Sequence, residues 1–194
     1  MWKYLICACI WIGFILHWIN GSIPKHRIFE IYAGCSISIC LTSLIFGLFG
    51  WYRNAISQFL QVIGIAFICI TIALALTTFL TFKSKGKPEK GFEETTVLIE
   101  GTIFGIVRHP LYLGFALWGI GQILAIQSII SVFLGVIAVF CSWMASKKED
   151  EFNLKKFGDK YRHYMKKVPM WNILKGLRKT SSNTKYKMRN NYFF

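Results

Sequence analysis

Arg108-His109-Pro110-Leu111-Tyr112-Leu113-Gly114 is the stretch whose residue types and order best suit chemistry. Proline favours the first position of a helix, where a missing backbone N–H costs nothing, so Pro110 marks a helix start. Such a start presents backbone N–H groups without intrahelical acceptors at the positive end of the helix dipole, and the two together bind anions. Arg108 adds a fixed positive charge beside it, His109 a polar ring and Tyr112 a phenol within the first turn. Gly114 permits close backbone approach. An ordinary helix start at a membrane interface, with a snorkelling Arg108 and an interfacial Tyr112, fits the same residues. The second group is Glu149-Asp150-Glu151, running into Phe152-Asn153-Leu154. Three adjacent acids repel one another. Either Lys147, Lys148, Lys155 and Lys156 neutralise them as a solvated face, or one or two of them accept hydrogen bonds from a cationic ligand.

The elements that must position these groups are read from the apolar runs, since a helical span needs about 20 apolar residues. Trp2 to Ile19 is the first run. Its Lys3 and short core are also those of a signal peptide, but it is Trp-rich and no small-x-small cleavage site follows. A retained helix is expected. A loop follows from Asn20 to Arg27, then a second run from Ile31 to Trp51 and a turn at Arg53-Asn54. The third run, Ala55 to Phe82, is long, and a polar basic loop follows from Lys83 to Gly91. Thr95 to Val107 is apolar but interrupted by Glu100, Gly101 and Gly105, so an irregular segment is expected. Leu111 to Ile126 and Ile129 to Ala145, joined at Gln127-Ser128, form a helical hairpin at the lower limit of spanning.

From Ser146 onward the pattern changes. The three acids are expected in a turn after the fifth span. Leu154, Phe157, Tyr161 and Tyr164 then recur at spacings of three and four, the signature of an amphipathic helix. This helix lies on the membrane or caps a pocket, with a break at Gly158 and an end at Pro169. Trp171 to Lys179 is a second short basic, amphipathic piece. The tail from Thr180 to Phe194 is polar and basic, and is expected to be mobile or bound to headgroups.

The fold class expected is therefore an all-α integral membrane protein with five transmembrane helices and C-terminal cytoplasmic amphipathic helices. It forms one membrane domain, with spans one to three in residues 1–82. Residues 83–194 hold the cytoplasmic loop, the hairpin and the C-terminal region. Composition agrees: 54% of the 194 residues are hydrophobic and 16% charged, against about 25% charged in soluble domains. Five spans leave only Lys3 and Arg53 of the 23 basic residues on the N-terminal side. By the positive-inside rule the N-terminus is outside and the C-terminus cytoplasmic. The net charge of +14 lies beside apolar spans, so anionic lipid is expected as partner rather than nucleic acid. Cys7, Cys9, Cys35, Cys40, Cys69 and Cys141 all fall in apolar runs without a C-x-x-C pair. They read as small buried residues, and no metal site is expected. His17, His26 and His163 read as interfacial or surface residues.

These motifs, taken in order, resemble the isoprenylcysteine carboxyl methyltransferase family, related to membrane phospholipid methyltransferases. The residues that carry the resemblance are Arg108 to Gly114; Asp150, Glu151 and Leu154; Phe157, Gly158, Tyr161 and Tyr164; and Val168-Pro169. It covers roughly residues 95–170. The resemblance implies S-adenosylmethionine as cofactor, bound by Val97, Leu98, Gly101, Phe104, Arg108, His109, Pro110, Leu111, Tyr112, Asp150 and Glu151. The chain departs from the family pattern at Phe104, where an aromatic hydroxyl is common, and at Asp150, where a glutamate is usual. Which of Glu149, Asp150 and Glu151 contacts the cofactor stays open. The implied acceptor is the C-terminal carboxylate of a prenylated cysteine, entering sideways from the bilayer. No catalytic residue is then required, because a carboxylate is already ionised at neutral pH. Loss of cofactor binding is expected in Glu151→Ala and His109→Ala. A phospholipid amine acceptor, an NADPH-dependent sterol-reductase-like role and a non-catalytic membrane scaffold are the alternatives.

Overall fold

The computed structural model describes residues 2–19, 21, 27–49, 56–86 and 97–178. Its elements are α1 (Trp2–Phe14), continued by a π-helical turn at Ile15–Ile19, then α2 (Ile28–Leu48) and α3 (Gln58–Lys85). A 3₁₀ turn at Thr102–Gly105 precedes α4 (Pro110–Ile126), α5 (Ile129–Phe157) and α6 (Asp159–Lys167). A final short helix, α7, covers residues 173–178. There is no strand among the described residues. Helices α2, α3 and α5 are long and apolar enough to cross a membrane, while α1 and α4 are shorter apolar helices. The turn expected at Arg53-Asn54, most of the loops after Ile19 and Lys83, and the tail from Thr180 lie outside the described residues.

The chain divides into two compact units. The first comprises Met1–Leu74 and Leu111–Phe152, the second Ala75–Pro110 and Asn153–Phe194.

Lipid is as apolar as leucine, so helices inside a bilayer associate through close backbone approach and polar side chains rather than by hydrophobic burial. The first unit is built in this way. A methyl group placed on Gly64 of α3 would fall 2.5 Å from the Gly121 carbonyl oxygen and 2.7 Å from the Ala125 nitrogen, both on α4. Gly119 of α4 and Gly135 of α5 approach each other nearly as closely, with methyl-to-carbonyl distances of 3.0 and 2.8 Å. Polar side chains bond across the seams. The Thr71 hydroxyl donates to the Gly114 carbonyl at 2.7 Å, and the Gln122 amide to the Cys40 carbonyl at 2.7 Å. The Ser36 hydroxyl donates to the Ala138 carbonyl and lies 2.9 Å from the Ser142 hydroxyl. These bonds satisfy side-chain polar atoms whose burial would otherwise be costly.

The α4–α5 hairpin forms where expected. Gln127 takes φ +55°, and its side-chain amide bonds both backbone groups of Ser57, at 2.9 and 2.7 Å. Ser128 and Ser131 then cap α5 reciprocally: each hydroxyl accepts from the other's backbone N–H, at 3.0 and 3.1 Å. This is the capping-box arrangement that satisfies orphan donors at a helix start.

One expectation is corrected. Glu149, Asp150 and Glu151 do not form a turn after the fifth span, because α5 runs unbroken from Ile129 to Phe157. Nothing between Val136 and Phe157 is glycine or proline, and Lys148 pairs with Glu151 one turn along at 2.9 Å. Such i,i+3 pairs support a helix. The break comes at Gly158, with φ +59° and ψ −132°, a conformation that only glycine adopts without strain.

Gly64→Ala is expected to destabilise the detergent-solubilised protein by about 1–3 kcal/mol, the usual penalty for overpacking. A thermal melt should show a lower midpoint. Gly13→Ala is the control, because nothing lies within 4 Å of a methyl placed there; its melt should be unchanged or higher.

Candidate functional site

The expected site residues fall in both units. In the second unit, residues 97–109 follow an irregular path with one 3₁₀ turn, so their backbone groups lack a helix's internal partners. One side chain and one carbonyl of the C-terminal segment supply two of them, and Arg108 donates back to that segment. The Tyr164 hydroxyl donates to the Phe104 carbonyl at 2.6 Å. The Arg108 Nη1 donates to the carbonyls of Met165 and Val168, both at 3.0 Å. The Arg108 backbone N–H donates to the Pro169 carbonyl at 3.0 Å.

Arg108 therefore satisfies carbonyls at the end of α6, a task for which its forked cation suits. That use was not legible in the sequence, which offered it for an anionic ligand. Tyr161, Tyr164 and Val168 form a buried cluster against which Leu98, Leu154, Phe157 and Met165 pack. Leu154 and Phe157, before the break at Gly158, thus gather with Tyr161 and Tyr164, after it, in one cluster, and that cluster holds the irregular stretch.

Phe104 is buried, with its ring 5.1 Å from that of Phe82. His109 is only 4% exposed and Pro110 is fully buried. Val97 and Gly101 are exposed. Sequence reasoning missed Thr81 and Thr102, whose hydroxyls lie 3.3 Å apart. Thr102 takes φ +57°, an uncommon conformation for a β-branched residue.

In the first unit, Leu111 and Tyr112 occupy the first turn of α4, with Tyr112 buried and its ring 6.4 Å from Phe115. The helix phase separates the two expected acids. Asp150 is 8% exposed and continues a buried stripe of α5 through Ser131, Gly135, Ala138, Ser142 and Ser146. Glu151 points outward, its side chain 61% exposed and bound by Lys148. At the start of α2, Arg27 and Glu30 form a 3.0 Å ion pair, and Phe29 stacks 5.2 Å from Phe152 of α5.

The sequence model of a family described as phospholipid methyltransferase matches residues 59–160. The chain belongs to that family. Family and apolar helices together make it a membrane protein. A stretch of 74 residues is 31% identical to the protein-S-isoprenylcysteine O-methyltransferase of Schizosaccharomyces pombe. It covers 38% of this chain and 31% of that protein, so the match spans about a third of the relative's length. Both findings support the resemblance read from the motifs. No solved structure matches the chain.

Tyr164→Phe removes one buried hydrogen bond and is expected to cost about 1 kcal/mol. Arg108→Ala removes two charge-assisted ones and should cost more, at about 1.5–3 kcal/mol each. Thermal melts of the ligand-free protein measure both. An unchanged melt for Arg108→Ala would remove the clamp described above.

Proposed function

We propose that the protein transfers a methyl group from S-adenosylmethionine to a lipophilic acceptor, most specifically the C-terminal carboxylate of a prenylated cysteine. The observation that carries this reading is the burial of two ionisable side chains, His109 and Asp150, inside the family-matched stretch. Burying an ionisable side chain is costly, so such groups in a family-matched stretch are candidates for ligand contact.

The residues fit such a cofactor by their chemistry. Its carboxylate suits the start of α4 at Pro110, Leu111 and Tyr112, where N–H donors and the dipole favour an anion. Its amine or ribose hydroxyls suit Asp150, a buried acceptor. Its flat adenine suits the apolar surface of Leu98 and Phe104. We assign Arg108 a positioning role, since its guanidinium already holds two carbonyls. Val97, Gly101 and Glu151 belong to the proposed set by resemblance alone.

When bound, the cofactor supplies an electrophilic methyl carbon on a positively charged sulfur. The acceptor carboxylate is ionised at neutral pH, so no residue serves as general base. The chain's work is to align acceptor oxygen and methyl carbon at near-attack distance and to keep the reacting charges away from bulk water. The acceptor enters laterally from the bilayer. The proposed topology has five spans, with α1 and α4 crossing beside the three longer helices. The N-terminus is outside and the cofactor site cytoplasmic, as the one-sided charge favours. The family's description favours one second reading, N-methylation of a phospholipid amine; that acceptor would also have to lose a proton.

Calorimetric titration of the solubilised protein with S-adenosylhomocysteine and with NADPH tests the class. Binding of the first alone is expected. Asp150→Asn and His109→Ala should each weaken it by about tenfold, the equivalent of roughly one hydrogen bond to a charged group. Glu151→Gln, at a side chain that is exposed and paired with Lys148, should weaken it less. Unchanged affinity in both buried-residue variants, or binding of NADPH instead, would remove the proposal. Methyl transfer to N-acetyl-farnesylcysteine against phosphatidylethanolamine then separates the two acceptors.

A further inference from the structure

We propose that α7, residues 173–178, is an anchor for an anionic bilayer surface. This goes beyond the methyl-transfer reading and does not depend on it. At about 100° per residue, the six positions of α7 sort into three arcs. Ile173, Leu174 and Leu177 share an apolar arc and are 38%, 72% and 48% exposed. Lys175 and Arg178 lie on the adjoining arc, and both are exposed. Gly176 occupies the remaining arc and is buried; a side chain there would run into the Ile106 carbonyl. The glycine therefore seats α7 on the segment that leads into Arg108, and this seating turns the three aliphatic side chains outward.

Three outward aliphatic side chains flanked by cations suit the boundary between headgroups and acyl chains. The side chains enter the apolar layer while the cations meet lipid phosphates. The charge balance of the neighbourhood selects the partner. Residues 159–178 carry Lys160, Arg162, Lys166, Lys167, Lys175 and Arg178 against the single acid Asp159, which Arg162 already binds at 2.9 Å. A second copy of this chain would bring the same +14 charge and be repelled. An anionic leaflet is attracted, and the chain is held beside one by its spans.

The test uses the full chain in nanodiscs of phosphatidylcholine, with or without phosphatidylglycerol. Single cysteines at Leu174 and at Lys166 are reacted with a membrane-impermeant charged maleimide. The native cysteines of α1, α2, α3 and α5 set the background, measured on the unaltered protein. In anionic discs Leu174→Cys should label about tenfold more slowly than Lys166→Cys, as burial at the acyl boundary requires. Neutral discs should narrow that gap. Leu177→Cys provides a second position, and Lys175→Glu with Arg178→Glu should abolish its protection in anionic discs. Equal labelling at Leu174 and Lys166 would overturn the anchor. Protection of the same size in neutral discs would overturn the role of the headgroup charge and point to a protein contact instead.

Discussion

A backbone that leaves regular structure must still satisfy its N–H and C=O groups, and burial makes failure expensive. Much else follows from how residues 97–109 meet that constraint. Their path carries the family motif up to Pro110, yet it has no ladder of its own. Tyr164 reaches the Phe104 carbonyl, and Arg108 ties its own backbone and side chain to the carbonyls around Val168. The bonds work in both directions. They fix the irregular stretch, and they close the end of α6, whose last carbonyls would otherwise lack partners. The buried face of Tyr161 and Tyr164 supplies the apolar support for both.

The first unit solves the same problem under different conditions. Its helices satisfy their own backbones, so the difficulty moves to the seams between them. Glycine pairs bring backbones together, and Ser36, Thr71 and Gln122 bond across the gaps. Gln127 does so at the hairpin, where its amide mimics a strand partner for Ser57. The small polar stripe of α5 ends at Asp150. The last buried member of that stripe is thus an acid rather than a hydroxyl.

The apolar runs, the hairpin turn at Gln127-Ser128, the helix start at Pro110 and the break at Gly158 were all legible, because each depends on local chemistry. The continuation of α5 through its acids was misread. Charge suggested a turn, whereas the absence of glycine and proline and the Lys148–Glu151 pair decide for a helix. The partners of Arg108 were beyond reach, since they lie 57 and 60 residues away. The close approach of Gly64 to Gly121 is likewise a tertiary fact. Of the candidate site, residue types and a resemblance gave the set; only helix phase separated buried Asp150 from exposed Glu151.

We propose that the clamped residues 97–109 and the start of α4 receive S-adenosylmethionine. Hydrogen exchange measured with and without S-adenosylhomocysteine tests it most directly, because the amides of this stretch report on the stretch itself. Exchange between Leu98 and Leu113 is expected to slow on ligand addition. Ligand binding that leaves those amides exchanging as before, with protection elsewhere in the chain, would place the cofactor at another site.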